Sequence, residues 1–146
     1  MTTEKVSEKR DGREQAFILL FEKCFSDITI DEIIENAKDC REIKISDFTL
    51  NLVKGVDNNI DEIDNIIEEN LTGWKLNRLS KINLTILRIS AYEICKDENT
   101  PVSVSINEAI LLAKQYSTDK DAAFINGVLG SIAKKSACDK KEDKKL

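Results

Sequence analysis

Apolar residues recur along this chain at helical spacing. Ala16, Phe17, Leu20, Phe21 and Cys24 fall at i, i+1, i+4, i+5 and i+8, one stripe of a helix. Thr29-Ile-Asp-Glu32 has capping-box spacing and opens a helix that reaches about Asp39. Ser46-Asp47 starts a longer helix carrying Phe48, Leu52, Val53, Val56, Ile60, Ile63 and Ile67, closed by Thr72-Gly73. Gly55 inside that helix costs about 1 kcal/mol relative to Ala, so close packing is expected there. Trp74 then begins a short connector.

Ser80 opens a helix with Ile82, Ile86, Leu87 and Ile89 inward, running to about Lys96. Residues 97–101 read as a turn, because the residue before Pro101 avoids the helical region and proline cannot continue a helix. Ser105-Ile-Asn-Glu108 reads as a second capping box, followed by Ile106, Ala109, Ile110 and Ala113. Thr118-Asp119-Lys-Asp121 starts a last helix with acids against its positive end, and Phe124, Ile125, Val128, Leu129 and Ile132 form its inner face. Connections are short and no repeat is visible, so consecutive helices should be antiparallel neighbours in an all-α unit of about seven helices.

Composition agrees with that class. Five Gly and one Pro among 146 residues are too few breakers for an all-β fold. Histidine is absent, which removes His-based acid–base chemistry, Ser-His-Asp and Cys-His nucleophiles, and His-containing metal sites. Cys24, Cys40, Cys95 and Cys138 form no CxxC pair, so they read as free thiols in a reducing cytoplasm. No apolar run resembles a signal peptide or a membrane span.

The net charge of −5 is uneven. Residues 1–14 sum to zero and 134–146 to +3, so 15–133 hold −8. An acidic body suits a basic partner protein better than bare nucleic acid. The carboxylates at Asp61, Glu62, Asp64, Glu68 and Glu69 read as a solvated helix face. Gly127 and Gly130 follow no strand, so they make no phosphate loop. Neither a catalytic centre nor a cofactor or metal site can be assembled from these residues. Residue chemistry alone leads to a helical interaction module.

The order of motifs in the C-terminal half is more specific. Leu87-Arg88-Ile89-Ser90-Ala91-Tyr92-Glu93 is followed by Pro101, Val104-Ser105-Ile106-Asn107-Glu108-Ala109, Ala113-Lys114, and Phe124-Ile125-Asn126-Gly127-Val128-Leu129. This series resembles the NusB family of bacterial transcription antitermination factors. Arg13-Glu14-x-Ala16 with Leu20-Phe21 is similar to the family's first helix. The likeness covers residues 9–134, flanked by an N-terminus 1–8 read as flexible and a charged tail 135–146 read as disordered. Between residues 24 and 72 it rests on helical pattern alone.

The resemblance implies an all-α fold of two small packed bundles and no catalytic activity. It implies a role in antitermination: binding the boxA element of nascent ribosomal RNA together with NusE, a small-subunit ribosomal protein, and loading onto elongating RNA polymerase with other Nus factors. The family's N-terminal arginine run, which lies along the RNA backbone, corresponds here to Lys9, Arg10 and Arg13, diluted by Glu8 and Asp11. Phe21 and Phe124 match positions near bound RNA, although both also lie on apolar stripes. Lys120 aligns with an acidic residue tied to RNA recognition, a reversal of charge. The NusE side would fall on Asn83, Leu84, Leu87, Arg88 and Tyr92.

Arg88 and Glu108 are expected to be partly buried partners, and Asn107 and Asn126 to satisfy backbone groups between helices. Two other readings keep the fold: a regulatory protein–protein module without RNA binding, and a relative of the domain that precedes ribosomal RNA methyltransferases. The latter would need about 200 further residues and a Gly-rich cofactor turn. Oligomeric state is open; a homodimer burying RNA-facing residues is one means of regulation.

Overall fold

A computed structural model describes the backbone of residues 3–41 and 44–144, and side chains within 8–40 and 44–136. The described residues form seven α-helices and one 3-10 turn, and no strand occurs among them. The chain divides into two compact units, Met1–Asn59 and Ile60–Leu146.

The first unit holds α1 (Thr3–Lys23), α2 (Ile30–Arg41) and α3 (Asp47–Asn58). Helical backbone thus covers most of the stretch 1–8 read as a flexible N-terminus. The expected stripe on α1 is buried at Ala16, Phe17 and Leu20, against Ile30, Ile33, Ile34, Leu52, Val53 and Val56 of this unit. Thr29 Oγ1 accepts from the Glu32 N–H at 3.2 Å, and Ser46 Oγ from the Thr49 N–H at 3.2 Å, so both local caps form as their spacing predicts.

The close approach in this unit is at Gly12. A Cβ there would lie 2.8 Å from Phe48 Cδ1 and 3.0 Å from Thr49 Oγ1. Thr49, fully buried, donates its hydroxyl to the Gly12 carbonyl at 3.1 Å. Glycine lets the Phe48 and Thr49 side chains of α3 pack directly on the α1 backbone.

The long helix expected from Ser46 to Thr72 is two helices. α3 stops at Asn58, and α4 spans Ile60–Glu69. Asn59 is the break: its backbone has φ −117° and ψ 22°, its side-chain amide donates to the Gly55 carbonyl at 2.7 Å, and its N–H turns to Val56 at 3.2 Å. A short amide that bonds nearby backbone competes with the helical ladder, while the apolar period runs on across it.

The second unit holds α4, a 3-10 turn (Leu76–Arg78), α5 (Lys81–Lys96), α6 (Val102–Tyr116) and α7 (Asp119–Lys144). α5 packs against α4, α6 and α7 and is buried on most of its circumference. Ile63, Ile67, Ile86, Leu87, Ile94, Ile125, Leu129 and Ile132 form the core here. Ser80 Oγ caps α5 by accepting from the Asn83 N–H at 3.1 Å, and Thr118 Oγ1 caps α7 by accepting from the Asp121 N–H at 3.0 Å.

The expected capping box at Ser105 does not form. α6 begins a turn earlier, with Pro101 at its N-cap, and Ser105 is a buried interior residue whose hydroxyl has no hydrogen-bond partner. Pro101 pairs a φ of −58° with an extended ψ of 141°, so it stands just outside the helix while its carbonyl accepts the first intrahelical bond, from the Ser105 N–H at 3.2 Å. At the other end of the unit, α7 carries helical backbone through most of the stretch 135–146 read as a disordered tail. Cys24 and Cys95 are half-buried and Cys40 exposed, none of them in a disulfide; Cys138 lies outside the described side chains.

Candidate functional site

In the first unit the basic candidates Lys9, Arg10 and Arg13 lie between the second turn of α1 and its midpoint. Phe48, at the start of α3, turns its ring to them: Lys9 Nζ is 5.9 Å and Arg13 Cζ 5.2 Å from the ring centroid. The three are not equally available. Arg10 is exposed and Lys9 half-buried, whereas Arg13 is only 4% exposed. A guanidinium sunk against an aromatic face braces α1 on α3 and leaves the outer charge to Lys9 and Arg10. An open cavity of about 510 Å³ lies alongside, lined by Lys9, Lys44, Gln15 and Phe48 and equally by the acids Glu8 and Asp11.

Phe21 is half-buried in an aromatic ladder along α1. Its ring stacks on Phe17 at 5.8 Å and 16°, and meets Phe25 edge-on at 5.1 Å and 75°. Phe25 is 69% exposed. The apolar stripe expected on α1 ends at Cys24, short of Phe25, and Phe48 is expected only on the apolar face of its helix. Four-residue spacing from Phe17 and Phe21 was the available signal for Phe25.

In the second unit Phe124 sits on the first turns of α7, half-buried, with its ring 6.3 Å from Trp74 at 60°. Trp74 itself is 53% exposed. Lys120, one turn earlier on α7, is exposed. Beside it Asp121 is held below the usual carboxylate range, chiefly by the Ser117 hydroxyl and further by Asn83, Thr118 and the Lys120 charge, against the opposing effect of burial. The start of α7 is held by the Ser117 hydroxyl donating to that carboxylate and by the Asp121 N–H donating to Thr118 Oγ1.

The partner candidates on α5 are mostly interior. Asn83, Leu84 and Leu87 are all buried, Leu87 completely, so their side chains hold the bundle together. Tyr92 and Arg88 are half-buried at the rim. Arg88 grips Asp64 of α4 with both arms, Nε to Oδ1 at 2.8 Å and Nη2 to Oδ2 at 2.9 Å. Asp64 had been read only as part of a solvated face. Glu108 is buried as expected, and Glu93 with it. Asn107 and Asn126 are exposed, so they do not serve as interior bridges between helices.

Among the described residues no group of three or more Cys, Asp or Glu side chains is placed to hold a metal ion. No helix in them is long and apolar enough to cross a membrane.

Comparison with known proteins gives one consistent result. A family model described as the NusB family matches residues 10–134. The transcription antitermination protein NusB of Clostridium novyi is 48% identical over 130 residues, covering 86% of this chain and 98% of that protein. Its counterpart in Clostridium botulinum strain Loch Maree is 42% identical over 138 residues, covering 85% and 98%. Among solved structures, T. maritima NusB superposes with a TM-score of 0.75 at 34% identity, over 86% of this chain and 90% of that one. A chain from the crystal structure of antitermination factors NusB and NusE in complex with dsRNA reaches 0.77 at 26% identity, over 91% and 98%.

Proposed function

The chain belongs to the NusB family, and on that premise we propose that it is a transcription antitermination factor. With the ribosomal protein NusE it binds boxA RNA of nascent ribosomal RNA and, with other Nus factors, helps RNA polymerase read through terminators. The observation that carries this reading is the near full-length match to antitermination proteins of that name. It acts by binding and not by catalysis, and its place of work is the cytoplasm.

Exposure sorts the candidate residues into roles. Lys9, Arg10 and Lys120 present their charges outward and meet phosphate. Phe21 and Phe124, each half-buried, offer ring surface to bases. Arg13, Asn83, Leu84 and Leu87 act from beneath, fixing the helices that carry those groups. Arg88 and Tyr92 belong to the rim that faces NusE. Because the chain is acidic overall, a basic partner supplies part of the charge that RNA needs.

Fluorescence anisotropy with a labelled boxA RNA and a scrambled control, with and without NusE at two salt concentrations, tests this. Preference for boxA that tightens with NusE is the expected result. Each phosphate contact should steepen the logarithmic salt dependence by about 0.7 on single-stranded RNA. Binding to NusE with no RNA preference would leave a protein-interaction module instead.

A further inference from the structure

We propose that Trp74 is a base-stacking residue, its indole taking an unpaired RNA base beside Phe124; this rests on the RNA-binding reading above. Trp74 is the chain's single tryptophan and among its most exposed large apolar side chains. An indole left this open has an unused π-face, and single-stranded nucleic acid uses such faces irrespective of base identity.

The connector that carries Trp74 is anchored at both sides. Leu71 is buried just before it, and Gly73 turns the backbone at φ +76°. Just after it, the Leu76 N–H donates to Glu68 Oε2 at 3.1 Å, and the Arg78 N–H to the Lys75 carbonyl at 3.0 Å. The indole therefore leaves a fixed backbone and leans on Phe124. Presenting it costs little additional ordering on binding.

Charge selects the occupant. The chain is acidic overall, yet residues 70–92 contain no Asp or Glu while holding Lys75, Arg78, Lys81 and Arg88. Lys75, Arg78 and Lys81 are exposed and form no ion pair among the described residues. Exposed cations flanking an open aromatic match a nucleic-acid strand, whose phosphates lie either side of each base. Even with the Glu68 carboxylate tied to the Leu76 N–H, the three cations favour an anionic strand over a basic protein.

Because Trp74 is the only tryptophan, its emission reads the site directly. The unlabelled protein is titrated with a boxA-containing single-stranded RNA at low salt, and emission is followed. Labelled RNA is then bound by the wild type, Trp74→Ala and Trp74→Phe in the presence of NusE. Quenching by RNA, a loss of affinity of roughly five- to a hundredfold in Trp74→Ala, and substantial recovery in Trp74→Phe are expected for one stacked base. Thermal melting of Trp74→Ala should match the wild type, since the side chain is largely outside the core.

If wild-type protein binds RNA but Trp74→Ala binds equally well and emission does not change, the proposal is wrong and the antitermination reading stands. A response of Trp74 to NusE but not to RNA, with Trp74→Phe as the blank for NusE emission, overturns it in favour of a protein contact. Absence of any RNA binding by wild type with NusE overturns the antitermination reading itself.

Discussion

The bidentate pair between Arg88 and Asp64 ties α5 to α4, and it predicts a specific thermodynamic signature. Both side chains are about a fifth exposed, at 19% and 20%. Exposed pairs are worth about 0.2–1 kcal/mol, while stripping one partner from a buried pair costs about 3–5 kcal/mol. The geometry here lies between these limits, so Arg88→Met should lose about 2–3 kcal/mol by leaving the Asp64 carboxylate in poor solvent. At about 3–4 °C per kcal/mol for a chain of this size, the melting temperature should fall by about 6–12 °C.

Arg88 makes further contacts of its own, so the single substitution overstates the pair. A double-mutant cycle with Asp64→Leu isolates it, because well-packed apolar replacements for an ion pair are often close to neutral. The double variant should regain most of the lost stability. Lys96→Met breaks a second α4–α5 pair, Lys96 with Glu62 at 2.8 Å, but both ends are much more exposed, and it should cost under about 1 kcal/mol. Calorimetric or circular-dichroism melts of the wild type and these four variants give the answer. Additive losses at positions 64 and 88 would show that the pair does not couple the helices, and the argument from burial would fail.

Three further outcomes follow from local geometry. Gly12→Ala should lower the melting temperature by pressing a methyl group on Phe48, whereas Gly127→Ala, with open space around the new Cβ, should raise stability by up to about 1 kcal/mol; equal effects in paired melts would refute the close α1–α3 approach. Ser105→Ala should stabilise by about 1 kcal/mol in urea titrations, since its buried hydroxyl is unpartnered; a loss of that size would restore the capping role that its sequence suggests. Asp121 has a lowered pKa, so the stability it contributes is present above the unfolded value of 3.8 and lost as pH falls through the folded value. Asp121→Asn should accordingly destabilise near neutral pH and converge with the wild type in acid, which melts across that range would check.

What the sequence revealed of the fold was mostly local. Thr29, Ser46, Ser80 and Thr118 each cap a helix through a hydrogen bond to the residue three positions on, and that spacing is visible in the chain itself. Asn59 was missed because the apolar period continues from Val56 to Ile60 and Ile63 without a fault; only the backbone shows that the amide ends the ladder. Ser105 misled in the opposite direction. Its spacing to Glu108 imitates a capping box, but Pro101 starts the helix first. Gly12 and the partner of Arg88 depend on which helices meet, and no spacing within one helix carries that information.

The same distinction orders the candidate site. In the motif from Leu87 to Glu93, Leu87, Ala91 and Glu93 are essentially sealed from solvent and Arg88 is engaged with Asp64. Packing alone accounts for those identities, so matching them locates the core of the second unit and says little about contact. Tyr92 is the member of that motif left over at the rim. In the motif from Phe124 to Leu129 the division is similar: Ile125 and Leu129 are core, while Phe124 keeps an open side and Asn126 is exposed. Burial gives no reason for an aromatic ring or an amide at those two positions. Under the RNA-binding reading proposed above, Phe124, with Trp74 beside it, is the place where a base would be met.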